Sequence, residues 1–288
     1  LDCCYVDITI NNNYDFKYKI IDCKTYPFTK KIKNLIYNSI GNYKSVLAEE
    51  CHQELGKFFL TISKLFLYKN KVDLISMHGQ TISHINNIRS VQIGNPKYLH
   101  RYFNVPVCYD FRSDDISIGG SGAPLIPFLD WLLFRNSSIN IITLNLGGIA
   151  NITYIPKKCS RNDVIGFDTG PGMCLIDEYV NFKFNLNYDI DGIIASKGKV
   201  NKKLLLFLLE DKYIKKIYPK STGREYFGIF YIKNIIHKFP KINKYDILRT
   251  LVLFTANSIL YNIENFVSNK SDFNLILSGG GARNNLLI

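Results

Sequence analysis

The sequence predicts an α/β protein made of two related halves. Three observations carry that expectation. A strand–turn–strand pattern opens each half, at residues 5–23 and again at 140–155. Strands alternate with helices after each opening. Polar or Gly-rich segments fall where strands end, and that is where open α/β sheets bind ligands.

Taken in order, residues 5–10 alternate as a strand, Asn11-Asn12-Asn13-Tyr14-Asp15 is turn chemistry, and 16–23 return as a second strand. Residues 30–40 and 45–67 carry apolar side chains at helical spacing. A short apolar strand at 72–77 runs into a polar loop, His78-Gly79-Gln80-Thr81. Another at 106–109 runs into Asp110-Phe111-Arg112. A helix over 123–134 follows the Gly119-Gly120-Ser121-Gly122 loop. Arg135-Asn136-Ser137-Ser138 reads as a linker, so the domains are expected at 1–136 and 137–288.

The second half repeats the pattern. A strand at 140–145, a tight turn at Gly147-Gly148 and a strand at 149–155 form its hairpin. Residues 164–167 form a strand leading into Asp168-Thr169-Gly170-Pro171-Gly172, then a helix over 173–182. Further helices are expected at 202–209, 228–238 and 246–267. The last strand, 274–277, enters Ser278-Gly279-Gly280-Gly281-Ala282-Arg283-Asn284.

Composition narrows the function classes. Hydrophobic residues are 47% and charged residues 21%, the balance of a folded globular chain rather than a disordered one. No apolar run approaches the ~18 residues a membrane helix needs, so no membrane partner is expected. The first residues lack a basic stretch followed by an apolar run, so no secretory signal is read there. Seven scattered cysteines show neither metal-ligand spacing nor a disulfide framework, which fits reduced thiols in a cytoplasmic protein with no metal ligated by its side chains. The net charge of +12 invites a nucleic-acid reading. The lysines, however, are spread along the chain among Asn, Ile and Tyr and cluster only in pairs such as Lys30-Lys31 and Lys215-Lys216. Compositional bias accounts for that better than a binding patch, and no nucleic-acid partner is expected.

The chemistry is expected at the strand ends. Asp168 would point into a cleft, with Gly170 and Gly172 permitting close backbone approach and a helix N-terminus beyond offering free N–H groups. A carboxylate held there can act as a general base; a helix cap with a turn is the plain alternative. Gly147-Gly148 and Gly279-Gly280-Gly281 can each cradle a nucleotide or simply turn the chain, and neither is a Walker A loop. His78 and Gln80 have donors and acceptors suited to sugar hydroxyls. Arg112 suits a carboxylate or phosphate, or a local pair with Asp110. Asp114-Asp115 read as solvated loop acids. Ser221-Thr222-Gly223-Arg224-Glu225 stands between helices, where Arg224 and Glu225 can pair or face a substrate.

These segments, in this order, resemble one family. The strings are His78-Gly-Gln-Thr81, Gln92-Ile-Gly-Asn95, Asp110-Phe-Arg112, Gly122-Ala-Pro-Leu125, Asn145-Leu-Gly-Gly-Ile-Ala-Asn151, Gly166-Phe-Asp-Thr-Gly-Pro-Gly172, Lys220-Ser-Thr-Gly-Arg-Glu-Tyr-Phe227 and Gly279-Gly-Gly-Ala-Arg-Asn284. Together they resemble the anhydro-N-acetylmuramic acid kinases, along nearly the whole chain. The resemblance implies two ribonuclease-H-like lobes of the actin, sugar-kinase and Hsp70 ATPase fold, with an interlobe cleft. It implies ATP and Mg²⁺ as cofactors and 1,6-anhydro-N-acetylmuramic acid as substrate in peptidoglycan recycling. It also suggests a homodimer. By the same resemblance Asp168 is the catalytic base, while His78, Gln80, Arg112 and Thr169 contact the sugar. Asp2, Asn145, Gly147, Gly148, Gly279, Gly280 and Gly281 would hold the nucleotide. The family pattern extends beyond both Leu1 and Ile288. Cys3, Ser121 and Met173 stand where it usually has Gly, Gln and Asn. Those departures leave open an inactive sugar-binding remnant; the nucleotide-type loops, shared across the fold, also leave open another sugar kinase.

Overall fold

The computed structural model describes residues 1–11, 15–85, 87–267 and 272–288. It is mixed α/β and falls into two compact units, 1–123 and 124–288.

In the first unit, β1 (Asp2–Ile10) and β2 (Phe16–Thr25) pair antiparallel. The expected turn at 11–15 centres on residues 12–14, which lie outside the described residues. Helices α1 (Lys30–Ser39) and α2 (Val46–Leu67) begin where Thr29 and Ser45 accept from the amides of Ile32 and Ala48. Their inner faces bury Ile32, Ala48, Cys51, Leu55 and Phe59. Strand β3 (Ile75–Ser76) is short. Next come β4 (Gln80–Ile85) and β5 (Arg89–Ile93), an antiparallel pair, then α3 (Lys97–Phe103). Strand β6 (Val107–Cys108) runs parallel to β3, and α4 (Phe111–Ser117) follows.

Local pattern had left out the β4–β5 pair, α3 and α4. Gln80 and Thr81, expected in a loop, open β4. Residues 80–93 are mostly polar, so nothing local announces a strand. Pairing with each other and burial of Ile82 and Ile93 in one core with α1 and α2 supply what the pattern lacks. Asp114 and Asp115 lie on helix α4, and Asp115 accepts from the Gly122 amide at 2.8 Å.

The second unit opens with α5 (Ile126–Phe134), ahead of the 136/137 boundary expected from sequence. Buried Asp130 explains why this helix joins it. Its carboxylate accepts from Thr143 at 2.6 Å and Thr153 at 2.7 Å. Those threonines lie on β7 (Asn140–Leu146) and β8 (Ile149–Ile155). Strand β9 (Ile165–Pro171) precedes α6 (Cys174–Phe184), α7 (Lys202–Leu209) and α8 (Lys212–Lys215). Then come α9 (Ile229–Lys238), α10 (Lys244–Phe266), β10 (Phe273–Ser278) and a 3-10 turn, Gly280–Arg283.

The four strands form one sheet in the order β10-β7-β8-β9. Strand β10 runs parallel to β7, and the other pairs are antiparallel. Ile142, Leu144 and Leu146 alternate onto one face, where Ile152 and Phe167 lie beside them and Ile259 of α10 packs in the same core. A second core of Tyr179, Leu204, Leu208, Ile232, Leu251 and Phe254 joins the helices. Each such buried side chain contributes about 1.5–3 kcal/mol. No helix among the described residues is long and apolar enough to cross a membrane.

Candidate active site

Register brings four polar residues into a row across the sheet of the second unit. Ser278 pairs with Asn145, Asn145 with Asn151, and Asn151 with Asp168. Directly paired residues share a face, so the row runs from β10 to β9 on one side of the sheet. Two residues back along β7 and β8, on that same face, Thr143 and Thr153 are tied to Asp130. The polar row therefore begins where α5 stops covering the sheet.

A β-bulge aims Asp168. Ala150 pairs with Gly170 and Asn151 with Asp168, so Thr169 is the extra residue of β9. Thr169 has no exposed surface. Its hydroxyl donates to the Ala150 carbonyl at 3.1 Å. Its own carbonyl accepts from Ser258 at 2.9 Å and Asn262 at 3.0 Å, both on α10. The Thr169 side chain therefore pins the bulge. Gly170 completes the kink at φ +144°, where a Cβ would meet Ser258 Oγ at 2.5 Å and Ile214 Cδ1 at 2.8 Å.

Asp168 is 8% exposed and held from three sides. The Thr222 amide donates to its Oδ2 at 2.9 Å. Its own amide donates to the Lys220 carbonyl at 3.2 Å, and the Tyr213 hydroxyl donates to its carbonyl at 3.0 Å. Lys220 is itself 4% exposed. Its ammonium donates to the carbonyls of Tyr213 (3.2 Å) and Ile214 (3.0 Å), among the rings of Phe167, Tyr213 and Phe266. Burial pushes Lys220 down to about 8, Lys216 adds to that, and Asp168 opposes it. Burial and the Asp168 charge push the Tyr213 phenol upward.

The first amide of α6, that of Cys174, and those of the two residues before it are engaged by the Gly147-Gly148 turn. The amide of Met173 donates to the Gly147 carbonyl at 2.8 Å. Those of Gly172 and Cys174 donate to the Gly148 carbonyl at 2.9 and 3.0 Å. The hairpin turn and the helix start thus satisfy each other. A Cβ on Gly172 would strike the Gly147 carbonyl oxygen, so this joint requires glycine. Arg224 lies over Gly148 and pairs with Glu178 at 3.6 Å, not with Glu225. Burial raises Asp177 to about 6, against the pull of Arg224. Its Oδ1 has no hydrogen-bond partner among the described residues.

The three consecutive glycines differ in role. A Cβ on Gly279 would press on Asn145 Oδ1 (2.6 Å) and the Leu146 carbonyl carbon (2.7 Å). One on Gly281 would press on Leu146 Cβ (2.8 Å) and Met173 Sδ (2.9 Å). One on Gly280 would meet nothing within 4 Å; Gly279 and Gly280 are both exposed, whereas Gly281 is buried.

In the first unit, His78 and Arg112 meet. Arg112 Nε donates to His78 Nε2 at 2.8 Å, and its Nη1 donates to the Gly122 carbonyl at 2.7 Å. His78 must therefore be neutral with its proton on Nδ1, which lies 3.0 Å from the Gly79 carbonyl. Loss of water from part of the imidazole, with the Arg112 charge, lowers its pKa and favours that state. Gln80, on β4, donates to the Thr81 carbonyl at 3.2 Å. Asp2 pairs across the hairpin with Thr25, whose hydroxyl it accepts, beside a cavity of about 230 Å³ lined also by Cys3, Cys4, Cys23 and Lys24.

Sequence reading missed Tyr213, Ser258 and Asn262, and quoted Lys220 and Thr222 without a role. Ser258 and Asn262 carried a signal: polar residues four apart within an apolar helical stretch that includes Ile259. Tyr213 carried none.

A family model described as anhydro-N-acetylmuramic acid kinase matches residues 2–288. The chain belongs to this family. Anhydro-N-acetylmuramic acid kinase of Clostridioides difficile (strain 630) is 40% identical over 96% of this chain and 76% of its own length. The protein of that name from Caldanaerobacter subterraneus subsp. tengcongensis is 36% identical over 95% of this chain and 74% of its own length. The one from Francisella tularensis subsp. novicida is 39% identical over 95% and 76%. Among the residues quoted for the anhydro-N-acetylmuramic acid kinase resemblance, Asn145, Asn151 and Asp168 are those that register joins into one row.

Proposed function

We propose that this chain is an ATP-dependent kinase that opens the 1,6-anhydro ring of 1,6-anhydro-N-acetylmuramic acid and phosphorylates O6, giving N-acetylmuramic acid 6-phosphate for cell-wall recycling. The observation that carries the reading is Asp168 on its bulge, its carboxylate fixed by the Thr222 amide at the end of a polar row, in a chain of this family.

Asp168 takes a proton from water as the water oxygen bonds to the anomeric carbon. The bond from that carbon to O6 breaks, and the freed O6 attacks the γ-phosphorus of ATP, releasing ADP. Arg112, oriented by His78, binds an anionic or hydroxyl group of the sugar, and Gln80 binds a further hydroxyl. Thr169 holds the bulge. On the nucleotide side, Gly280 offers open backbone beside Gly279 and Gly281. Asn145, Gly147 and Gly148 stand for the phosphates, with Asp2 at the other hairpin. ATP supplies the phosphoryl group, and Mg²⁺ neutralises its charge. No group of three or more His, Cys, Asp or Glu among the described residues forms a metal cage. Mg²⁺ would be carried on the phosphates, as this ion commonly is. The reading includes two ribonuclease-H-like lobes, a cytoplasmic location and a homodimer. An antiparallel β7–β8–β9 meander with β10 parallel to β7 supports the lobe assignment for the second unit.

Mass spectrometry of the sugar incubated with ATP, Mg²⁺ and the chain tests this. The expected product carries one added water and one phosphoryl group and is absent with Asp168→Asn. ATP turnover without a phosphorylated sugar, or product formed equally by Asp168→Asn, sinks the proposal.

A further inference from the structure

We infer that Tyr213 and Lys220 are positioning residues for Asp168, acting through a closed circuit of hydrogen bonds; this rests on the kinase reading above. The circuit has three links. Lys220 Nζ donates to the Tyr213 carbonyl (3.2 Å), the Tyr213 hydroxyl donates to the Asp168 carbonyl (3.0 Å), and the Asp168 amide donates to the Lys220 carbonyl (3.2 Å). Three separated segments contribute: β9, α8 and the stretch after α8.

The circuit grips the backbone of Asp168 on both sides of its Cα. Strand β9 is the edge of the sheet, where alternate residues turn both N–H and C=O away from the neighbouring strand. At Asp168 these outward groups meet the Lys220 carbonyl and the Tyr213 hydroxyl. Two residues beyond Lys220, the Thr222 amide holds the carboxylate itself. Backbone and side chain of Asp168 are therefore fixed by one segment, and Lys220 anchors that segment to α8. The second carbonyl it binds, that of Ile214, belongs to the residue whose side chain packs on Gly170. A general base displaced by even 1 Å loses much of its effect, so this anchoring bears directly on rate.

Stability alone does not account for a lysine here. Taking an ammonium out of water costs several kcal/mol, and an apolar chain of the same length would fill the aromatic surround without that penalty. What the ammonium adds is a bond to each of two carbonyls and a positive charge near Asp168. Among the described residues, the charged groups acting on Lys220 are Lys216, which disfavours its charge, and Asp168, which favours it. Phe167 and Phe266 are uncharged, and the Tyr213 phenol stays neutral because its pKa is raised. By reciprocity Lys220 favours ionised Asp168.

The experiment compares kcat, KM and the pH profile of sugar phosphorylation for the unaltered chain, Tyr213→Phe and Lys220→Met, with Asp168→Asn as the inactive control. Lys220→Met is expected to lower kcat by roughly ten- to a hundredfold with KM within about twofold, and to move the acidic limb to higher pH. Tyr213→Phe removes one hydroxyl and no charge. It is expected to lower kcat about tenfold and leave the acidic limb in place. A purely packing role would move neither the kcat-to-KM split nor the limb. If Lys220→Met does not fold, Tyr213→Phe decides: unchanged kcat overturns the inference, and lowered kcat at constant KM supports it. Wild-type kcat and limb in both variants, with Asp168→Asn inactive, sink this inference alone. No product from the unaltered chain sinks the kinase reading and this inference with it.

Discussion

The surroundings of Asp168 and those of Arg112 solve the same problem with different materials. Asp168 sits on the edge strand of a four-stranded sheet, and the Thr222 amide, the Lys220 carbonyl and the Tyr213 hydroxyl hold it. Arg112 sits in the first turn of a short helix and leans on an imidazole and one carbonyl. Peptide groups fixed by the fold neither rotate freely nor change protonation state. An imidazole can do both. The first arrangement suits a group that must meet a reacting atom at fixed distance; the second suits a group that must fit a bound molecule.

That contrast can be broken in four places. Asp168→Asn keeps the shape but not the basicity, and kcat should fall roughly 10²–10⁴-fold with little change in thermal stability. A loss below tenfold would mean the sheet positions something else. Gly172→Ala would drive a Cβ into the Gly147 carbonyl, with the Ala150 amide nitrogen 3.1 Å away. Neither backbone group can yield, so a loss of about 3 kcal/mol in denaturant unfolding is expected; a shift near zero would show that the joint is looser than the sheet around it.

In the first unit, His78→Ala should raise KM for the sugar about tenfold with kcat changed far less, because Arg112 survives but loses its orientation. The pH sign follows from the lowered pKa. Neutral His78 is favoured in the folded state, so its contribution is present above the ordinary value of 6.5 and is lost as pH falls through the folded value. Arg112 is then left facing a protonated ring, and sugar affinity should fall in acid; titrating KM against pH checks it. The smallest effect is Asp177→Asn. Burial favours protonated Asp177 in the folded state, so the native carboxyl lowers stability progressively as pH rises from 3.8 to about 6. The variant should melt slightly above the parent beyond pH 6 and show no advantage below 3.8. An advantage independent of pH would point to packing.

Much of the second unit was legible from local pattern. Residues 149–155 and 202–209 coincide with β8 and α7, because alternation and helical spacing are strong there. The first unit was less so. Gln80–Ile85 and Arg89–Ile93 are polar strands that exist through each other, and Arg112 turned out to start a helix. At the candidate site, Asp168, Gly170 and Gly172 could be singled out because an acid and glycines in one short segment are uncommon chemistry. The roles of Gly279, Gly280 and Gly281 could not be told apart, because what distinguishes them is Leu146 and Met173 behind two of them and open space beside the third.

The sequence by itself determined the α/β class, the family resemblance and the residue types of the chemistry, because periodicity and motif order are properties of the chain. Only the tertiary structure decided that Thr169 is an unpaired bulge residue facing inward, that the amides of Gly172, Met173 and Cys174 are spent on Gly147 and Gly148, and that Tyr213 and Lys220 close on Asp168. The reason is physical. A hydrogen bond between residues 45 positions apart, such as Tyr213 to Asp168, leaves no local periodicity behind it and comes into being only when the fold brings its two ends together.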